Sequence, residues 1–425
     1  MNKIIKKQML IYDNIHGYIE ISPLAKQIID TIEFQRLRQL HQTGALYLVF
    51  PTAVHSRFEH SIGTYYLTGK ILENISIKQP EFRLTKKLIE LIKIGGLCHD
   101  LGHCTLSHFF DDFVLKNLDF YNDLGDEKHH EFRSIILVKH IIKKYNIDLN
   151  DGEIKIIQDV IYPSKNSYES WDEKYKKGKF LLDIVCNNKN NIDVDKFDYI
   201  SRDNFAIGLK LGFDYSRLIE LARVIDDTIC YPKKIMDDIV HLFLVRYRLY
   251  KQIYNHKTVI SFEFIFASIL IDYIKETKSL TKDDLKDPDK IIEWTDQIFY
   301  LIRIKKIRLD LFNRIFTRDG YPFIKEYKIP VESNFNKEEF LKKNNDIILF
   351  DSKIGFVSGN NKNPFDNIYY YKNEDYKIKY KANKFNISLF INDNKYQERF
   401  IKIYGKNKND FKKLINKYNN IQSIC

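Results

Sequence analysis

Four residues of this chain have side chains suited to hold a metal: His60, the adjacent pair His99-Asp100, and Asp195. Two imidazoles and two carboxylates make a mixed nitrogen and oxygen donor set for a hard or borderline divalent ion. Such an ion lowers the pKa of bound water and polarises a phosphoryl oxygen, so the chemistry expected is hydrolysis of a phosphate ester. Taken alone, a His-Asp pair is more readily a satisfied core histidine beside a helix-end carboxylate. The neighbours shift that balance. Segment 99–111 carries His99, His103 and His108 with Asp100 and Asp111, interleaved with Gly and Phe. A solvated loop rarely concentrates imidazole in this way.

Further candidates flank the four. Arg57 lies three residues before His60, close enough to meet a phosphate on a metal held there. Asp195, Tyr199 and Asp203 recur every fourth residue, so a helix would stack a ligand, a phenol and a second carboxylate on one face. Lys196 adjoins the ligand as a point charge for phosphate. Arg246, Tyr250 and Tyr254 share the same spacing and lead into Asn255-His256-Lys257. An aromatic core stripe with a snorkelling arginine explains that spacing equally well.

The elements that must position these groups are mostly helical. Helical patterns run over 59–75, 84–99, 129–146, 152–162, 193–205, 214–226, 236–256 and 258–276. On 84–99, Leu88, Leu91, Ile92 and Gly95 share a face with His99, and His103 falls on the same side if that helix continues. Residues 10–21, with a turn at Asp13–Gly17, read as a short hairpin. Ser22-Pro23 reads as an N-cap followed by proline at the first helical position. Beyond about residue 330, Asn, Lys and Tyr rise, and strands are expected at Ile347–Phe350, Asn367–Tyr371 and Tyr376–Tyr380. The stretch Lys395–Tyr418 has helical character. The fold class is therefore mainly α, with a helical core over 1–330, a short N-terminal hairpin and a small α+β lobe over 331–425.

Composition narrows the setting. The chain has 425 residues, 44% of them hydrophobic, which is enough for a large core and argues against global disorder. The net charge of +11 favours anionic partners, single-stranded nucleic acid among them, although a solvated lysine-rich surface explains it as well. Five scattered cysteines read as reduced thiols of an intracellular protein, cytoplasmic or nuclear. No signal peptide is apparent, and the most apolar run, Val259–Ile274, is broken by Glu263 and Asp272, so no membrane span is expected.

Together the motifs resemble the HD-domain phosphohydrolases, and within them the deoxynucleoside-triphosphate (dNTP) triphosphohydrolases. The landmarks are Asp13–Gly17 (DNIHG), Ile28–Arg38 (IIDTIEFQRLR), Val49–Pro51, Arg57–Ser61 (RFEHS), Gly96–His103 (GLCHDLGH), Ser107-His108, Asp193–Asp203 and His256-Lys257. They cover residues 10–260 strongly and continue weakly to about 420. No SAM domain, which the vertebrate members carry, is expected. The resemblance implies an HD-domain helical core with His60, His99, Asp100 and Asp195 as ligands of a divalent metal, whether Mn, Fe, Mg or Zn. It implies that His103, His108 and His130 line the phosphate region, with His108 as general acid and Asp111 orienting a neighbouring imidazole. Arg57, Lys196 and Arg246 would bind the triphosphate, and Gln42 and Asp203 would read the sugar 3′-hydroxyl. Tyr199 and Tyr254 would exclude a 2′-hydroxyl.

The resemblance further implies activation by GTP or a dNTP, and assembly as a dimer or tetramer. Asp30, Gln35 and Arg38 match a guanine-reading site, while Arg217, Lys234, His256 and Lys257 match a second activator site. Several positions depart from the family pattern. Met9 stands where a lysine is expected, Tyr12 for Asn, Pro232 for Arg and Asp238 for Asn. In the substrate pocket Tyr250 stands for His, Asn255 for Gln and Thr43 for Leu. Two readings compete with the triphosphohydrolase. One is another HD phosphohydrolase, a nucleotidase or phosphodiesterase. The other is a nucleic-acid-binding protein whose hydrolase site is vestigial.

Overall fold

The computed structural model describes residues 9–356, 363–382 and 396–419. The hairpin forms as expected, Met9–Asp13 pairing antiparallel with Gly17–Ile21. Asp13 closes its turn, with Oδ1 accepting from the Ile15 and His16 amides at 2.8 and 3.0 Å. Ser22 caps the following Pro23–Ile29 helix through a bond from the Ala25 amide. The core is built from the helices Arg57–Lys78, Lys86–Cys98, His130–Lys144, Asp151–Ile161, Val194–Ala206, Met236–Arg248 and Lys257–Thr277. Arg57–Lys78 begins in a capping box, Ser56 with Glu59, which fixes where the His60 turn starts.

Four expectations need correction. Segment 214–226 is helical only over Ser216–Glu220. It then becomes the strand Arg223–Ile225, because Asp226 and Asp227 both take positive φ and turn the chain back onto Thr228–Pro232. The helix that carries His99 stops at Cys98, so His103 reaches the site from a turn and not from the same helical face. The 236–256 helix is α only to Arg248 and widens into a π turn over Leu249–Tyr254. Finally, Gln397–Gly405 is a strand, and the helix is confined to Phe411–Asn419. That strand is buried along nearly its whole length, so its apolar run lacks the alternation that distinguishes strand from helix.

The three expected strands beyond residue 330 are present, and they belong to two different units. Phe323–Ile329, Gln397–Gly405 and Ile347–Gly355 form an antiparallel sheet with its own apolar cluster, including Tyr327, Leu349, Ile403 and Leu414. Tyr369–Lys372 instead pairs parallel to Thr228–Pro232, and Phe365, Ile368 and Tyr370 join the main core. Among the described residues no helix is long and apolar enough to cross a membrane.

Glu263, which interrupts the apolar run, is buried on the Lys257–Thr277 helix. Burial pushes its carboxyl up to about 8, and Asp112 adds to the rise. Between about 4.5, its unfolded value, and 8 the unfolded chain binds fewer protons than the folded one, so this group's penalty grows as pH rises through that window. Glu263→Gln is therefore expected to raise the melting temperature by about 2–4 °C near pH 8.5, and much less near pH 5. Equal gains at both pH values would contradict the assignment.

Candidate metal centre and active site

Donor atoms of four residues converge. His60 Nε2 lies 3.2 Å from His99 Nε2, 3.4 Å from Asp100 Oδ2 and 3.1 Å from Asp195 Oδ1. His99 Nε2 is 3.3 Å from Asp100 Oδ1 and 3.5 Å from Asp195 Oδ1. Bonds of about 2.1 Å to a common ion, meeting at about 90–110°, would separate donor atoms by about 3.0–3.4 Å. The tautomers agree with a metal. His60 Nδ1 donates to Asp198 Oδ2 at 2.7 Å, and His99 Nδ1 donates to the Gly96 carbonyl at 2.8 Å. Both Nε2 lone pairs therefore face each other and two carboxylates, an arrangement that a bound cation stabilises. Asp100 is held as an anion. Burial opposes this, but the Arg57 guanidinium and His99 keep its carboxyl well below the usual carboxylate range.

A second layer went unassigned in the sequence. Asp198 is fully buried, and besides His60 it binds His16 Nε2 at 2.6 Å and Arg202 through Nε (2.8 Å) and a terminal nitrogen (2.9 Å). Arg202 also meets Asp13 at 2.8 Å. The DNIHG turn thus braces the metal centre from behind. Gly63 makes this possible, since a Cβ there would fall 1.8 Å from Asp198 Oδ1. The spacing of Asp195 and Asp198 on one helix was the available signal, but only a known imidazole orientation separates the ligand from the brace.

Beside the donors stand three imidazoles. His103 stacks on His130 at 3.8 Å between centroids, and His108 meets both edge-on at 4.8 and 5.3 Å. His103 Nε2 is 3.4 Å from Asp100 Oδ1 without an aligned hydrogen bond, and its ring is buried. Asp111 lies 3.7 Å from His130 Nδ1 and 2.6 Å from Arg133. Their environments differ. Burial opposes protonation of His130, but Glu131 and Asp111 raise it above the usual imidazole value. His108 is exposed at the opening, yet desolvation by the surrounding walls, the Arg57 charge and His130 lower it. Groups pushed apart in this way are suited to opposite roles in proton transfer.

Gly102 holds the turn that carries His103. A Cβ there would lie 2.1 Å from the His130 carbonyl oxygen and 2.5 Å from the Ser134 amide nitrogen, neither of which can move aside. Gly102→Ala is expected to cost about 2–4 kcal/mol in urea unfolding by forcing the turn off the His130–Lys144 helix. A cost within the error of the measurement would refute this packing argument.

The remaining candidates fall on two sides of the centre. Arg57 is buried and committed, its guanidinium reaching Asp100 Oδ2 (2.6 Å), Ser107 Oγ (2.8 Å) and the Gln42 carbonyl (3.2 Å). Gln42 keeps a buried, unpartnered Oε1. Lys196 pairs with Asp193 at 3.1 Å. Tyr199 sits one turn beyond Asp195 on the Val194–Ala206 helix, and Arg246 lies over the Tyr250 ring at 4.3 Å. Tyr250 meets Tyr254 edge-on, and Tyr254 hydroxyl donates to Asp203, whose other oxygen is 2.7 Å from His55 Nε2. Asn255 is fixed through its carbonyl by Lys402.

Two surface cavities hold three of the seven activator candidates. Asp30 and Gln35 line one of about 450 Å³ with Arg36, Gln39 and Thr295. Arg38, next to it, donates to Gln35 and packs its guanidinium 3.4 Å over the Phe58 ring. Lys257 lines another of about 210 Å³ with Arg318 and Lys408, and His256 caps the helix start beside it. Arg217 and Lys234 line neither of these two cavities: Lys234 is exposed, and Arg217 is paired with Asp238 at 2.7 Å.

The HD domain family model matches residues 57–203, the span from Arg57 to Asp203. The deoxynucleoside triphosphate triphosphohydrolase SAMHD1 homolog of Dictyostelium discoideum is 35% identical over 441 residues, covering 97% of this chain and 82% of that protein. The chain belongs to the SAMHD1-type HD-domain triphosphohydrolase family. Human SAMHD1 is 31% identical to this member, covering 93% of it and 70% of the human protein. A putative HD domain-containing protein of Acanthamoeba polyphaga mimivirus is 38% identical and shares 85% of each chain. All four donors lie inside the span matched as an HD domain.

Proposed function

We propose that this family member hydrolyses dNTPs to a deoxynucleoside and inorganic triphosphate. The observation that carries the reading is the convergence of His60, His99, Asp100 and Asp195 on one point, with three imidazoles on one flank. A divalent metal bound there, whether Mn, Fe, Mg or Zn, supplies a Lewis acid and an activated water. Water adds to the α-phosphorus, the bond from phosphorus to the 5′ oxygen breaks, and His108 passes that oxygen a proton drawn from its neighbour His130, whose surroundings favour the charged form. His103 and His130 line the phosphate path, and Asp111 holds His130 in place. Arg57, Lys196 and Arg246 bring positive charge to the triphosphate. Gln42 and Asp203 read the 3′-hydroxyl, and Tyr199 and Tyr254 crowd out a 2′-hydroxyl. Tyr250 and Asn255 shape the sugar and base side.

GTP or a dNTP at the Asp30, Gln35 and Arg38 site activates in this reading, with assembly to a dimer or tetramer. The second activator site is weakened by Asp238, which neutralises Arg217. The free thiols among the described residues suit an intracellular site, cytoplasmic or nuclear. The test incubates the protein with each dNTP and NTP, with Mg²⁺ or Mn²⁺, with and without GTP, and resolves the products. Triphosphate with deoxynucleoside supports the reading. Phosphate or pyrophosphate would point to another HD phosphohydrolase. No turnover, with steeply salt-dependent single-strand binding, would favour the vestigial site that the +11 charge accommodates.

A further inference from the structure

Leu106 (φ 54) and Ser107 (φ 62) are consecutive non-glycine residues in the left-handed region, directly before His108. Such residues persist only where their surroundings over-determine them. A carboxylate far along the chain binds this turn. Asp296 Oδ1 accepts from the Leu106 amide at 2.6 Å, and Oδ2 accepts from the His41 amide at 2.8 Å. The same Oδ2 is 2.6 Å from His41 Nδ1. Ser107 Oγ donates to the His41 carbonyl at 2.7 Å, and Thr105 Oγ1 donates to the Thr295 carbonyl at 3.1 Å. Three separate segments, 39–42, 105–107 and 295–296, are thus tied at one carboxyl group. The Asp296 amide in turn donates to the Gln39 carbonyl at 3.1 Å.

We infer that Asp296 is a positioning residue for His108: its two oxygens, each accepting a backbone N–H from a different loop, hold the left-handed pair that aims the His108 ring at the site. Asp296 lies outside the span matched as an HD domain. The two-oxygen requirement makes the inference specific. Both partners are backbone amides that can only donate, so an asparagine satisfies one and confronts the other with its own N–H.

The test uses the metal-loaded protein and two readouts. The kinetic one rests on the dNTP hydrolysis proposed above. Asp296→Asn is expected to lower kcat about 10- to 100-fold with KM within about twofold and bound metal unchanged. In a His108→Ala background the same change is expected to cost less than about twofold, because the residue it positions is gone. Equal losses in both backgrounds would overturn the inference. The second readout needs no turnover. Amide exchange at 105–108 should accelerate at least about tenfold in Asp296→Asn, and stay unchanged in Asp159→Asn. Asp159 is a buried carboxylate that serves Ser167 and Trp171 on another helix. Unaltered exchange in Asp296→Asn would overturn the inference even if no nucleotide is hydrolysed. Absence of triphosphate from the unaltered protein would sink the functional reading alone.

Discussion

Asp100→Ala is expected to strip the protein of its metal and to reduce triphosphate release by at least about a thousandfold. The carboxylate serves two partners at once. Oδ1 lies 3.3 Å from His99 Nε2, while Oδ2 lies 3.4 Å from His60 Nε2 and meets Arg57 at 2.6 Å. Removing it deletes a ligand and leaves the buried Arg57 guanidinium without its counter-charge. The second loss alone is worth about 3–5 kcal/mol of stability. The two effects separate on measurement. Elemental analysis reads the metal, and urea unfolding of the metal-free protein reads the orphaned cation. Asp100→Asn keeps the volume and loses the charge, so it should show a similar fall in activity. Retention of stoichiometric metal by Asp100→Ala would remove Asp100 from the ligand set.

Asp198→Ala should produce the next largest effect, although Asp198 is not among the four donors. Its carboxylate meets His60, His16 and Arg202, all within 2.9 Å. Without it, Arg202 keeps only Asp13, and His60 loses the bond that sets its tautomer. A loss of about 3–5 kcal/mol in stability is expected from the buried charge. Metal affinity should fall about 10- to 100-fold as the ring loses its orientation. Titration of the apo-protein with Mn²⁺ checks the second number independently of the first. An affinity equal to that of the unaltered chain would mean that the Arg57–Lys78 helix alone orients His60.

Much of this centre was legible in the sequence, and the reasons are local. Asp195, Tyr199 and Asp203 recur every fourth residue, so the face that carries Asp195 could be read from spacing. His99-Asp100 ends a helix whose apolar face points inward, which made burial of a charged pair foreseeable. What was hidden depends on long-range contact. Nothing in the spacing of Asp195 and Asp198 says which oxygen meets a metal and which meets the far nitrogen of His60. Asp296 is 188 residues after His108 in the chain and reaches the Leu106 amide before it only through folding. His103 was placed on a continued helix because periodicity cannot register the stop at Cys98. Gln397–Gly405 was misjudged because a strand buried along nearly all its length carries no alternation to read. Arg57 has a structural part that spacing did not show: three of its five N–H groups go to Asp100, Ser107 and the Gln42 carbonyl.

The order of strands in the small antiparallel sheet bears on how the chain is made. Gln397–Gly405 lies between Phe323–Ile329 and Ile347–Gly355, which do not pair with each other. It is synthesised after both. During translation the two earlier strands therefore wait with their inner edges open, and open edges recruit other chains. The same late strand carries Lys402, which anchors the Asn255 carbonyl, and Tyr404, which bonds the Lys257 carbonyl. A nascent chain can thus hold every proposed metal donor and still lack the support for the Asn255 and Lys257 carbonyls until that strand inserts. Slow emergence of that strand would favour aggregation over an idle but folded intermediate, so yield should respond to synthesis rate and holdase supply more than to metal.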